Sequence, residues 1–429
     1  MKTLHTLSIA AVICLAAASC SDKTDYKALY EGHVKELSDP KYYGRTDYND
    51  GITASAQYIK DCIASMGFAA EDLDFTYPKN TMRGDIKFSV DGKECVYTEE
   101  FMVKEFSPAA DLSMGIYHLP DEYLADKEKF YSHLGSGRFA DKFVAFDFAL
   151  FSENFSGEGV ELYKDNLTQL GGKVGGLIFV YDKRPVQFIS RAVYTLPFPV
   201  VAVGPWFGKE AKSATLKLDA EFIEDYKAVN IASFIEGKTK SDEHIIFLAH
   251  YDHLGVVGQG HIFTGANDNA SGVGVLLSLM QYYGKHQPDQ SLLFLFLDGE
   301  EANLLGAKDY VANPFMPLEK IKFVINLDMV GDDGTNLICE IGGNGGEAGF
   351  ELFKKINTEK GYFTSIDPEP FTDNSDHYYF GINGVPCMYF TIEGSKYQYY
   401  HTPKDTFENF TSERFEPLFN LMRDFVKEF

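Results

Sequence analysis

The sequence predicts an α/β fold in which a mixed, mostly parallel sheet is flanked by helices on both faces and interrupted by an inserted β-rich accessory domain. Two observations predict this class. From Val229 onward, apolar strand-like runs alternate with helix-like segments, as in sheets whose strands are joined by crossover helices. Between residues 82 and 227 the chain instead shows short β-like runs separated by Gly and Asp. At 429 residues, the chain is long enough for two such domains.

Each element follows from its residue pattern. The amino-terminal segment is typical of two packing helices, the first with Leu29, Val34 and Leu37 on one face and the second ending near Gly67. In the later region we predict strands at 229–235, 245–249, 292–297, 321–327 and 385–390, and helices at 269–283, 302–311, 347–360 and 413–429. The predicted division is a signal peptide at 1–19, amino-terminal helices of the main domain at 20–81, the insert at 82–227 and the main domain at 228–429.

Composition excludes some classes of function. Apolar residues make up 45% of the chain and charged residues 24%, which is typical of a globular protein rather than a disordered one. The formal net charge of −24 argues against binding of nucleic acid or anionic lipid through a basic surface. No protein partner is evident from the sequence.

The first twenty residues predict export. Lys2 is followed by an apolar run at residues 7–18 that is too short to span a membrane, and small residues then precede Cys20. This ending resembles a bacterial lipobox, so we expect Cys20 to carry a lipid and to anchor the protein in the cell envelope, either periplasmic or surface-exposed. The alternative is a cleaved signal peptide with an incidental cysteine. The other cysteines form no CxxC pair, and the sequence assigns no disulfide.

Candidate metal ligands follow the apolar runs. His250 and Asp252 come directly after the predicted strand 245–249, at the carboxyl edge where open α/β sheets place their chemistry. Asp268 lies in a Gly-rich loop just before a helix-like segment, so that it can return to the same edge. One imidazole and two carboxylates at such positions indicate a metal site.

Three further segments extend this set. Glu300 and Glu301 follow the strand 292–297, and because adjacent acids point in different directions, one can bind metal while the other transfers protons. The alternative is a pair of solvated acids at a helix start. Asp328 closes the apolar strand 321–327, where burial demands a cation or hydrogen-bond donors. His401 lies in a Thr-Pro turn and, taken alone, is equally typical of a surface residue.

Together these residues form a nitrogen and oxygen ligand set without thiolate. Such a set suits zinc, with cobalt or manganese conceivable. Five ligands exceed the need of one tetrahedral ion, whereas two ions that share a carboxylate would use them all. The predicted ligands are His250, Asp268, Glu301, Asp328 and His401.

Five motifs occur in an order and spacing that resemble the dizinc aminopeptidases of the co-catalytic zinc exopeptidase group, a superfamily that also includes glutaminyl cyclases. They are AHYDHLG at 249–255, GANDNASGVG at 265–274, DGEE at 298–301, NLDMVG at 326–331 and YHTPKDT at 400–406. The resemblance covers 229–429 and extends to 30–67, where Gly44 and Arg45 match the family's amino-terminal helices. The insert resembles a protease-associated domain through a looser pattern.

This resemblance implies the zinc exopeptidase fold, two zinc ions per chain and peptide substrates with a free amino terminus. It implies that His250 and Asp328 bind one ion, that Glu301 and His401 bind the other, and that Asp268 bridges them. The remaining implied roles are an orienting acid for Asp252, a general base for Glu300, oxyanion stabilisation for Tyr400 and substrate positioning for His377. His253 and His261 are expected to be surface or loop residues.

Two alternatives remain open at the level of sequence. The DGEEA run at 298–302 and the Asp376-His377 pair also resemble glutaminyl cyclase, which uses one zinc ion and cyclises an amino-terminal glutamine without water. A binding protein that kept the scaffold and lost the reaction would show a damaged ligand set, and no ligand position is visibly lost here.

Overall fold

The structure is a computed structural model that describes residues 23–155, 159–185, 192–258 and 260–429. The predicted signal peptide and Cys20 lie outside these residues. The helices are α1 (Tyr26–Leu37), α2 (Gly51–Ser65), α3 (Asp121–Leu124), α4 (Lys127–Leu134), α5 (Phe148–Asn154), α6 (Gly159–Leu167), α7 (Gly272–Tyr283), α8 (Leu305–Ala312), α9 (Gly346–Lys360), α10 (His377–Ile382) and α11 (Phe415–Glu428). No helix in the described ranges is both long and apolar enough to cross a membrane.

The strands form two large sheets and one small hairpin. They are β1 (Glu71–Thr81), β2 (Ile86–Val90), β3 (Lys93–Glu94), β4 (Phe101–Val103), β5 (Ala110–His118), β6 (Phe139–Asp147), β7 (Val174–Val180), β8 (Val200–Val203), β9 (Ser213–Leu218), β10 (Glu221–Ile235), β11 (Lys240–His250), β12 (Gly255–Val257), β13 (His261–Phe263), β14 (Gln290–Leu297), β15 (Ile321–Leu327), β16 (Leu337–Gly342), β17 (Ile366–Glu369) and β18 (Cys387–Thr391).

The main sheet has the strand order β1-β10-β14-β11-β15-β18-β16-β17. Its centre, from β14 to β18, is parallel, and β16 also pairs in parallel with β17, whereas the other neighbours are antiparallel. The parallel strands are apolar along almost their whole length because helices cover both of their faces. The mixed, mostly parallel sheet that the sequence predicts is therefore confirmed.

Side chains of the central strands alternate between two cores. On one face, Phe247 packs with residues of α1, α2, α7, α9 and α11. On the other face, Ile246 and Leu248 pack with α8 and α10, through Tyr310 and Phe380. This alternation follows from the two-residue period of a strand and fixes the register of the sheet against slippage.

A second sheet is built from residues 86–218, with the strand order β3-β2-β9-β5-β6-β7-β8-β4. The chain leaves the main sheet through β1 and returns through β10, and these two long strands pair antiparallel with each other. The return strand begins at Glu221, so the segment that the sequence predicts as the end of the insert is already part of this pair.

The small β12–β13 hairpin connects the loop after β11 to the start of α7. Leu254, Val257 and Phe263 on this hairpin and its approach are buried in one apolar cluster with Phe88 and Phe101 of the second sheet. The hairpin therefore joins the two large sheets at the edge where the predicted metal ligands lie.

The predicted helix after β14 begins later than expected. Residues 299–304 form a turn in which Asn303 and Leu304 have φ values of 81° and 61°, and α8 starts only at Leu305. Glu301 is therefore buried in a turn and does not lie at the start of a helix. This burial excludes the alternative in which Glu300 and Glu301 are a solvent-exposed pair of acids.

Candidate metal centre and active site

The carboxyl edge of the parallel strands collects the predicted ligands. His250 is the last residue of β11, Asp328 follows β15, and Glu301 lies in the turn after β14. Asp268 belongs to the segment Ala266–Ser271 that precedes α7, and the loop after β18 brings in His401. All five side chains are buried to at least 94%, so each needs a polar or ionic partner at this edge.

Asp268 stands between the other four. Its Oδ1 lies 3.3 Å from His250 Nε2, which in turn lies 3.2 Å from Asp328 Oδ1. Its Oδ2 lies 3.1 Å from His401 Nε2, which lies 3.4 Å from Glu301 Oε2. Each oxygen of Asp268 thus faces its own imidazole and carboxylate.

These separations fit zinc. Bonds of about 2.0–2.1 Å in a tetrahedral site place neighbouring donor atoms about 3.3 Å apart. The donor set also fits zinc chemically, since it consists of imidazole nitrogens and carboxylate oxygens. The residues therefore suit a divalent ion on each side of the Asp268 carboxylate.

The charge of this cluster also favours cations. Burial lowers the pKa of His401, but the charges of Glu301 and Asp268 outweigh it and raise that pKa to about 10. Burial likewise opposes protonation of His250, and the charges of Asp328 and Glu300 raise its pKa well above the usual value. Carboxylates in excess over imidazoles thus create a field that divalent cations would neutralise.

Backbone carbonyls of the site loops are held by Arg45, which is fully buried. Its guanidinium donates to the carbonyls of Tyr251 at 2.8 Å and of Asp268 at 2.9 Å. It also donates to the carbonyls of Leu37, Thr264 and Gly265. The five N–H groups of this one side chain therefore tie together the loops that carry His250 and Asp268.

Two further side chains fix the backbone at Asp268 and the carboxylate of Asp328. The Asp405 carboxylate accepts hydrogen bonds from the backbone N–H groups of Asn267 and Asp268, at 2.8 and 3.0 Å. Ser375 donates its hydroxyl to Asp328 Oδ2 at 2.8 Å, so that Oδ1 faces His250. Such contacts orient metal ligands and restrict their alternatives.

Asp252, the predicted orienting acid, faces His250 with both its backbone carbonyl and its carboxylate. His250 Nδ1 lies 3.1 Å from the backbone carbonyl oxygen of Asp252 and 3.6 Å from its carboxylate. That carboxylate accepts a hydrogen bond from the backbone N–H of Glu300 at 3.2 Å. Asp252 therefore links the imidazole to the predicted general base, with the carbonyl closest to the ring.

Glu300 and Tyr400 both line a cavity of about 200 Å³ that opens beside Asp268, Asp328 and His401. Glu300 Oε2 lies 4.0 Å from His250 Nε2. Burial and the charges of Glu301 and Asp328 outweigh the opposing charge of His250 and raise the pKa of Glu300 well above its usual range. The Tyr400 ring stacks on His401 with 3.8 Å between ring centroids.

His253, expected to be a surface or loop residue, lies in a loop but is not at the surface. Its side chain is fully buried, and its Nδ1 lies 2.7 Å from Glu301 Oε1 and 3.7 Å from Asp268 Oδ2. Glu301 thus meets His253 with one oxygen and His401 with the other. The only sequence signal is the second histidine of the AHYDHLG motif, whose partner Glu301 is 48 residues away. His261, by contrast, is partly exposed on the hairpin.

His377 lies behind the cavity wall. It is fully buried, its Nε2 lies 3.2 Å from Glu340 Oε2, and its ring stacks on Tyr389 with 5.2 Å between centroids. Glu340 and Tyr389 line the cavity, whereas His377 does not. Any contribution to substrate positioning must therefore pass through these two side chains.

The catalytic region of the chain resembles known peptidases. Residues 230–426 match peptidase family M28. A segment of 146 residues is 34% identical to the vacuolar membrane protease of Saccharomyces cerevisiae, and it covers 34% of this chain and 13% of that protein. The match thus spans only a small part of the yeast protein's length.

Solved structures share the fold. A zinc aminopeptidase from Bacillus subtilis aligns over 94% of this chain and 95% of its own, with a TM-score of 0.71 and 21% identity. The glutaminyl cyclase of Porphyromonas gingivalis aligns over 94% of this chain and 99% of its own, with a TM-score of 0.50 and 13% identity. The resemblance predicted from the motifs is therefore confirmed at the level of peptidase family M28, whose match covers residues 230–426.

Proposed function

We propose that this protein is an aminopeptidase that hydrolyses the amino-terminal residue of peptides at a dinuclear zinc centre. The observation that carries the proposal is the position of Asp268, each of whose carboxylate oxygens faces a separate imidazole and carboxylate at the spacing of zinc ligands. His250 and Asp328 would hold one ion, Glu301 and His401 the other, and Asp268 both.

The chemistry divides between the ions and the side chains. Zinc, when bound, lowers the pKa of water and polarises the scissile carbonyl. Glu300 removes the proton from the attacking water and delivers it to the leaving amine as the peptide C–N bond breaks. Glu300 suits this double task by its position, because it lines the cavity and its Oε2 lies 4.0 Å from His250 Nε2. The Tyr400 hydroxyl donates a hydrogen bond to the oxyanion.

Removal of a single residue is supported by the cavity. At about 200 Å³ it is smaller than a typical site for a drug-sized ligand and comparable to one amino-acid side chain. An exopeptidase needs room for only one residue on the amino-terminal side of the scissile bond, because no residue precedes the one that it removes.

Metal analysis and paired substrates test the proposal. We expect two zinc ions per chain and hydrolysis of leucyl-p-nitroanilide, with release of free leucine. A glutaminyl cyclase would instead bind one zinc ion and convert an amino-terminal glutamine to pyroglutamate, and that result would reject the peptidase proposal in favour of the cyclase.

The proposed base is tested by Glu300→Gln, which removes a proton acceptor but no proposed ligand. We expect kcat to fall by about 10²–10⁴ with both zinc ions retained. Glu359→Gln is the matched control, because Glu359 is exposed near the end of α9, outside the cavity. Turnover at the parental rate by Glu300→Gln would exclude Glu300 as the base.

We also propose that the protein is anchored to the cell envelope through a lipid on Cys20, as its amino-terminal residues predict. Cys20→Ala should move the protein from the membrane fraction to the soluble fraction of lysed cells. Unchanged membrane association of this variant would exclude the anchor.

A further inference from the structure

The cavity beside the metal centre has an acidic wall formed by three strands. Glu340 of β16 is in register with Glu369 of β17 on one side and with Tyr389 of β18 on the other. Directly paired residues of neighbouring strands project from the same face of a sheet, about 5 Å apart. All three side chains line the cavity, so the row faces the space beside Glu300.

Like charges placed side by side on a sheet are destabilising. Glu340 is buried and fixed by Thr372, whose backbone N–H donates to it at 2.7 Å, and by His377. Glu369 and Glu393 lie at the exposed end of the cavity, and neither forms an ion pair with a described residue. The wall therefore keeps negative charge that the described part of the chain does not compensate.

A third acid extends the row. Burial and the negative charges of Glu369 and Asp332 raise the pKa of Glu393. Glu393 therefore interacts electrostatically with Glu369, and both residues line the same cavity. Among the described residues that line the cavity there is no lysine or arginine.

These acids are distinct from those of the metal centre. Asp268, Asp328 and Glu300 lie at the inner end, where the proposed ions would offset their charge. Glu340, Glu369 and Glu393 lie on the wall, where no proposed ion offsets theirs. Aromatic rings of Tyr389 and Tyr397 complete this part of the cavity and can pack against an alkyl chain or the face of a cation.

We propose that the acidic wall makes the enzyme selective for peptides whose amino-terminal residue is lysine or arginine. The inference rests on the proposed aminopeptidase activity and names its substrate class. A cationic side chain would place its alkyl stem along the tyrosines and its charge among Glu340, Glu369 and Glu393. An acidic first residue would be repelled by the same wall.

The test compares kcat/KM for lysyl-, norleucyl- and glutamyl-p-nitroanilide with the zinc-loaded protein. Norleucine has a similar alkyl chain to lysine and no charge, so the lysyl-to-norleucyl ratio isolates the contribution of the cation. We expect a ratio of at least about 10 at low salt, a decrease at high salt because partly exposed charges are screened, and the slowest turnover with the glutamyl substrate.

Substitutions connect this ratio to the wall. The double variant Glu369→Gln/Glu393→Gln keeps the size of both side chains and should lower the ratio to about 2 or less. Glu340 is left intact in this variant because it also contacts Thr372 and His377. The matched control is Glu319→Gln/Glu359→Gln, which removes two exposed charges outside the cavity and should leave the ratio unchanged.

The outcomes separate the two proposals. A norleucyl substrate cleaved as well as the lysyl one, or a ratio that survives Glu369→Gln/Glu393→Gln, overturns the selectivity while the aminopeptidase activity stands. Absence of hydrolysis with all three anilides rejects the aminopeptidase proposal, and the selectivity with it.

Discussion

Replacement of Arg45 by lysine should weaken zinc binding although Arg45 is not a proposed ligand. Arginine presents five N–H donors in a rigid fork, and all five are needed for the carbonyls of Leu37, Tyr251, Thr264, Gly265 and Asp268. Lysine keeps the positive charge but has only three donors on one nitrogen. Arg45→Lys therefore isolates the geometry of the fork from its charge.

The expected magnitude follows from the bonds that are lost. At least two buried carbonyls lose their donor, and each unsatisfied buried group costs about 1–3 kcal/mol. We expect the free energy of unfolding to fall by about 2–6 kcal/mol and the melting temperature by about 2–7 °C, since the unfolding entropy grows with chain length. Because the carbonyl of Asp268 itself is released, zinc affinity should fall by about tenfold or more, in the range found for residues that orient metal ligands.

Thermal melting of the metal-free protein and zinc titration against a chelator measure the two effects separately. Arg138→Lys is the matched control, because Arg138 is exposed in the second sheet's region and far along the chain from the site loops. A variant that melts early but binds zinc with parental affinity would show that Arg45 stabilises the fold without positioning the centre. Parental values of both quantities would refute the reasoning.

Three further outcomes are expected. Asp268→Ala should lower zinc content below two ions per chain by mass spectrometry, and full occupancy would mean that another group bridges the ions. His253→Gln should lower zinc affinity about 10–100-fold, because Glu301 Oε1 loses its 2.7 Å contact, and equal affinity in a chelator competition would exclude that role. Burial lowers the pKa of His33, on α1, from 6.5 to about 4. Between these pH values the unfolded chain binds a proton at His33 that the folded protein does not, so the free energy of unfolding falls as the pH decreases from 6.5 to 4. Relative to His33→Gln, the parent should lose up to about 3 kcal/mol over this range in chemical unfolding, and parallel pH profiles would contradict the assignment.

Three of the five predicted ligands follow strong local signals in the sequence. The apolar runs before His250, Glu301 and Asp328 are long enough to be buried strands, and parallel strands bring their carboxyl ends to one edge. Asp268 and His401 have weaker local signals, and their positions were predicted from motif order. The zinc assignments themselves remain predictions until metal content is measured.

Contacts between residues that are distant in the sequence could not be predicted. Glu340 and Glu369 lie in short strands that were not predicted, and their shared face depends on a register that no local pattern encodes. The burial of His253 could not be predicted, because burial of a loop histidine depends on a distant carboxylate, here that of Glu301. Arg45 matched a motif, but its five carbonyl partners come from separate loops and are visible only in three dimensions.

Because the β12–β13 hairpin packs against the second sheet, we expect the stability of that sheet and zinc binding to be thermodynamically linked. Leu254, Val257 and Phe263 are buried against the second sheet, and the same stretch of chain connects His253 to Asp268. Burial of each such side chain stabilises the folded state by roughly 1.5–3 kcal/mol. Excision of residues 86–218 would expose these side chains, and the segment between His253 and Asp268 would lose that stabilisation.

Linkage is reciprocal, so zinc that orders this segment must stabilise the packing of the second sheet by the same free energy. Zinc binding should therefore slow amide hydrogen exchange in β2 as well as near Asp268. If hydrogen exchange in β2 does not change when zinc binds, the hairpin does not couple zinc binding to the stability of the second sheet. If the protection is found, any molecule that binds the second sheet and loosens this contact becomes an inhibitor that never enters the active site.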